Sequence, residues 1–163
     1  MRTFVLIVVT SLAVAACGES AYTPAAPALT SPTPLTSLSG TWTGTAADTS
    51  GPGKMTWTVA QNGTAMIGTM NISDTGRSMM GTGSMQGTVS GSTMTLHMTV
   101  PNGGFNGTMS SCSMGVDGHA TMSDDGHTMT GTYSGNMSGM MSGGMMGQSC
   151  GGAMNNGQFT LTR

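Results

Sequence analysis

From Leu38 to the C-terminus, apolar residues and glycine recur at every second position, with Thr and Ser filling the places between them. A period of two sends successive side chains to opposite faces of a strand, and no helical period competes with it. Leu38, Gly40, Trp42 and Gly44 share one parity against Ser39, Thr41, Thr43 and Thr45. The next rows are Met55, Trp57, Val59 and then Met66, Gly68, Met70, Ile72. Met85, Gly87, Val89 and Met94, Leu96, Met98, Val100 follow. Met114 to Met122, Met129 to Tyr133, and Phe159 with Leu161 complete the set. Turn signals separate the rows: Asn62-Gly63, Ser90-Gly91 and Asp124-Asp125-Gly126. The pattern predicts an all-β domain of eight antiparallel strands over 38–163.

Such a domain needs a core, and the usual residues are scarce. Val, Ile, Leu and Phe number 21 of 163, below the level at which chains ordinarily fold. A disordered chain would be strongly charged, whereas only 6% of this one is charged. The nineteen methionines supply the missing apolar volume. With only four Lys and Arg the chain lacks the means to neutralise phosphates, which argues against nucleic-acid binding.

An irregular repeat, apolar-x-Gly-Thr-apolar, spans Met66–Met70, Met85–Val89, Phe105–Met109 and Met129–Tyr133. Each copy is expected to place a glycine at mid-strand on the inner face, where strands bend or a large neighbour crosses. That suits an eight-stranded antiparallel up-and-down barrel, which side chains can fill or which can hold one small ligand. A two-sheet β-sandwich has the same periodicity and stays open as the alternative. The opening Leu38-Ser39-Gly40-Thr41-Trp42 resembles the Gly-x-Trp first strand of lipocalin and avidin-like barrels. The resemblance implies a last-strand arginine packed over that tryptophan. Arg163 has the inward parity of Phe159 and Leu161, so it is expected to cover Trp42 at the closed end, a cation–π contact of about 0.5–2 kcal/mol.

The first residues read as an address. Arg2 precedes an apolar run from Phe4 to Ala16 interrupted only by Thr10 and Ser11, the pattern of a secretory signal. Its end, Val14-Ala15-Ala16-Cys17, resembles the lipobox of bacterial lipoproteins. The resemblance implies a signal peptide over 1–16, cleavage before Cys17, and lipid attachment at Cys17 with palmitate-type acylation. Several acyl chains hold a protein stably in a membrane where one would not. Gly18 after the cysteine is compatible with sorting to the outer membrane of the cell envelope. Residues 17–37, with Pro24, Pro27, Pro32 and Pro34 among Ala, Ser and Thr, form a semi-rigid tether.

Cys112 and Cys150 remain, an even pair in an exported chain, and are expected as a disulfide. Candidate catalytic groups are few. His97 has outward parity, His127 follows a turn, His119 completes the three histidines, and the sole glutamate, Glu19, lies in the tether. No nucleophile-elbow, zinc-protease or phosphate-loop motif occurs, so no catalytic residues and no enzyme are expected.

The segment 134–154 is read as a Met/Gly/Ser-rich loop carrying Met137, Met140, Met141, Met145 and Met146. It resembles the Met-rich tracts of bacterial envelope proteins that bind Cu(I) or Ag(I), since thioethers are soft ligands that need no deprotonation. Apolar cover for a barrel mouth or scavenging of oxidants would use the same residues. Three functions follow as expectations. The first is a lipid-anchored, non-catalytic module binding a small apolar ligand or an envelope partner, without a cofactor. The second is a Cu(I)-binding envelope protein, and the third a structural surface lipoprotein without a ligand.

Overall fold

The structure, a computed structural model, describes residues 37–49, 51–74, 79–141 and 148–163. Cys17, the leader and nearly all of the tether lie outside these residues. The strands are β1 (Gly40–Asp48), β2 (Gly51–Asn62), β3 (Ala65–Asp74), β4 (Met79–Ser90), β5 (Thr93–Val100), β6 (Cys112–Met122), β7 (Thr128–Gly139) and β8 (Gly152–Thr162). Each pairs antiparallel with the next, and β8 pairs back onto β1 from Thr43↔Thr162 to Ala47↔Gln158. The sheet is therefore an eight-stranded antiparallel up-and-down closed barrel, and the sandwich alternative is excluded. Closure leaves the Thr-rich strands without an exposed edge.

The two-residue period does its work here. Cys112, Met114, Val116, Gly118, Ala120 and Met122 of β6 are buried, while the residues between them face outward. The interior is one continuous core in which ten methionines are buried, among them all nine that share parity with the Val, Leu and Trp positions. Glycine and aromatic residues interlock between β7 and β8. Gly131 pairs with Phe159 and Gly157 with Tyr133. A Cβ on either glycine would strike the ring of its partner, so each glycine is the space its neighbour's ring occupies.

Two sequence expectations change. The Phe105–Met109 copy of the repeat is not a strand: it lies in the β5–β6 connection and ends in a 3-10 turn at Gly107–Met109. Gly107 is exposed there and not an inward mid-strand glycine. Phe105 instead turns inward over Gly81, held by Thr82 N–H to Gly104 O (2.8 Å) and Asn106 N–H to Met80 O (3.0 Å). The segment 134–154 is largely strand, because β7 continues to Gly139 and β8 begins at Gly152. In β8 the register slips by one residue opposite Tyr133–Gly135. Asn156 takes up the extra residue with φ of 56°, a left-handed conformation that asparagine tolerates better than most residues.

Candidate functional site: a methionine-lined mouth

The barrel's two ends differ. At the end bearing the β2–β3, β4–β5 and β6–β7 turns, Leu38 is fully buried and its N–H donates to Gln61 Oε1 at 2.8 Å. Trp42, also fully buried, donates its Nε1–H to Leu38 O at 2.9 Å. The Arg163 guanidinium carbon sits 4.9 Å from the centroid of the Trp42 ring, and Nη1 donates to Ser37 O at 2.7 Å. Those contacts plug this end with one residue from before β1 and one from after β8.

The opposite end is bounded by the last residues of β1, β3, β5 and β7 and the first residues of β2, β4, β6 and β8. A disulfide joins Cys112, the first residue of β6, to Cys150, just before β8, with 5.7 Å between Cα atoms. That spacing is ordinary for a disulfide. Both cysteines are buried, and Met109 Sδ lies in contact with Cys112 Sγ at 3.7 Å.

Inside this frame lies a cavity of about 70 Å³. Its wall includes seven methionines: Met55, Met70, Met79, Met98, Met114, Met137 and Met154. Asp48, Lys54, Asp74 and Tyr133 give it a polar side. The Tyr133 hydroxyl donates to Asp48 Oδ2 at 2.8 Å. Burial, the hydrogen bond and the Asp48 charge together push the Tyr133 phenol above its ordinary range, burial foremost, so it stays a neutral donor.

The structure separates the five loop methionines. Met137 is half-buried and turned into the cavity, Met141 is half-buried against the core, and Met140 is 68% exposed. Met145 and Met146 lie outside the described residues. Met114 and Met154, which belong to no loop, share the cavity wall with Met137. Extending the Met129-Gly131-Tyr133 row by parity through Gly135 would have brought Met137 inside, and extending Met85 back through Gly83 and Gly81 would have found Met79. Met154 carries no such signal, because the bulge at Asn156 reverses its parity relative to Phe159 and Leu161.

On the outer wall, His97 Nδ1 and Asp117 Oδ1 are 2.7 Å apart, both well exposed, and His119 is exposed beside them. A surface pair of this kind contributes little. Asp125 accepts from Ser123 Oγ (2.5 Å) and His127 N–H (3.0 Å), bonds that pull its carboxyl below the usual range and explain the residue as part of the β6–β7 turn. Among the described residues, no three His, Cys, Asp or Glu side chains gather in metal-binding range. No protein-family model, no curated protein and no solved structure matches this chain.

Proposed function

We propose that this protein is a lipid-anchored cell-envelope lipoprotein, held through Cys17 and most naturally in the outer membrane, whose barrel acts as a non-catalytic module binding a small apolar ligand. The observation that carries the reading is the methionine-lined cavity at one end of a barrel whose other end is plugged by Leu38, Trp42 and Arg163. Thioether side chains are apolar, polarisable and free about three bonds, so they reshape around a guest instead of rejecting it. Volume sets the scale. An apolar cavity of about 150 Å³ takes a benzene ring, so at about 70 Å³ any larger guest must move methionines aside. Asp48, Tyr133 and Asp74 would orient the guest's polar end at the rim. A tether of 17–37 would hold the mouth clear of the bilayer.

The test is a fluorescence titration of the detergent-purified full chain with the uncharged apolar probe N-phenyl-1-naphthylamine. Saturable binding of one probe per barrel is expected, lost when Met137→Trp fills the cavity and kept when the exposed Met140 is changed to Trp. Binding that ignores Met137→Trp, or none at all, would exclude the cavity as an apolar site.

A further inference from the structure

The β6, β7 and β8 strands run side by side where the disulfide ties the mouth together, and three inward methionines sit there on neighbouring strands. We propose that Met114, Met137 and Met154 form a thioether site for a soft monovalent cation, Cu(I) or Ag(I). The inference is independent of any apolar ligand.

Register makes the case. Met114 and Met137 are direct cross-strand partners on β6 and β7, which sets their Cβ atoms about 4.5–5.5 Å apart. On β8, Met154 pairs with Gly135 while Gly152 pairs with Met137. Met154 is thus one diagonal step from Met137, about 7–8 Å between backbones and within reach of long side chains. Both positions on the diagonal between Met137 and Met154, Gly135 and Gly152, are glycine and put no side chain there. The bulge at Asn156 is what brings Met154 to this face at all. The Cys112–Cys150 bond flanks the set, two residues before Met114 and four before Met154, and fixes β6 against the start of β8.

Chemistry then selects the ion. All three residues line the cavity; Met114 and Met154 are only 7% exposed, while half-buried Met137 gives access from the mouth. Thioethers are soft, neutral donors and favour Cu(I) over hard or borderline cations. The same cavity wall carries the carboxylates of Asp48 and Asp74 against the single ammonium of Lys54, a balance that does not oppose a monovalent cation. The site lies deeper in the barrel than the exposed Met140 and uses only Met137 of the loop set.

An anaerobic competition titration of the full chain against a chromophoric Cu(I) chelator tests this. One Cu(I) per chain is expected. Affinity should be the same at about pH 6 and about pH 8, because thioethers lose no proton on binding. Replacing one outer-sphere partner of a metal site costs about 10–100-fold, so Met114→Leu/Met137→Leu/Met154→Leu should weaken binding by at least about 100-fold. Two controls should bind as the parent does: Met66→Leu/Met94→Leu/Met122→Leu at the plugged end, and Met140→Leu/Met141→Leu/Met145→Leu/Met146→Leu for the rest of the loop set. If the first triple variant does not fold, Met137→Leu alone, at a half-buried position, should still weaken binding about tenfold. Absence of stoichiometric Cu(I) in the parent, unchanged affinity in the Met114/Met137/Met154 variant, or loss confined to the Met140/Met141/Met145/Met146 variant would each overturn the assignment.

Discussion

Tyr133 shows how one side chain joins packing to the rim of the mouth. Its ring fills the space above Gly157 and lies 6.4 Å from the Phe159 ring between centroids, while its hydroxyl reaches Asp48. Because the folded state holds the phenol neutral, its pKa lies above the unfolded value of about 10. The resulting stabilisation is fully present below about pH 10 and is lost as pH rises toward the folded-state value. Tyr133→Phe keeps the ring and removes the titrating group. Its unfolding midpoint should therefore fall less steeply than the parent's above about pH 10, measured in urea at a series of alkaline pH values. Parallel curves for the two proteins would show that Tyr133 contributes nothing to the alkaline limb. At the same scale, parity alone identified Leu38, Trp42 and Arg163 as inward, but not the bonds that make Leu38 a plug, since those to Gln61 and Trp42 join residues distant in sequence or outside any strand.

Among the elements, β8 departs furthest from the period-two pattern. Its buried residues, Met154, Gly157, Phe159 and Leu161, fit no single alternation, because Asn156 inserts an extra residue between the first two. A left-handed backbone costs most residues about 1–2 kcal/mol, asparagine less and glycine almost nothing. Asn156→Gly should thus leave stability nearly unchanged, whereas Asn156→Val should lower it by about 1–2 kcal/mol with the same denaturant slope. Chemical denaturation reads both, and equal midpoints for the two variants would mean that the bulge relaxes without cost. The β7–β8 hairpin also explains why Met137 looked like part of a loop. Ser and Gly between Met137 and Cys150 obscure a strand whose pairing is set by its partners, Cys112–Ser113 on one side and Gly152–Ala153 on the other.

For the molecule as a whole, the cross-link between Cys112 and Cys150 closes a segment of 38 residues in sequence separation around the β6–β7–β8 corner. The chain-entropy relation gives about 4 kcal/mol for a loop of this length, a large share of the roughly 5–15 kcal/mol that holds a domain folded. Cys112→Ala/Cys150→Ala should accordingly lower unfolding stability by about 2–4 kcal/mol, read as a shift in denaturant midpoint. A midpoint unchanged on removing the pair would mean that the corner is already fixed by strand pairing. At this scale the sequence was a good guide to architecture. Eight rows, three tight turns and inward methionines were all visible in the alternation of residues. The alternation says which face a side chain takes but not which strand it meets, so it left barrel and sandwich equal until β8 was seen hydrogen-bonded to β1.

What the sequence determined by itself was therefore local: strand identity, facing, and the dependence of the core on methionine, all of which follow from the two-residue period and apolar content. The tertiary structure decided the rest. Closure required the pairing of residues separated by most of the chain, Phe105 left its repeat to cap the interior, and one extra residue at Asn156 turned Met154 inward. The mouth, and the meeting of Met114, Met137 and Met154 on its wall, come from three strands brought side by side. Register across a closed sheet is a property of the whole barrel, and no single strand encodes it.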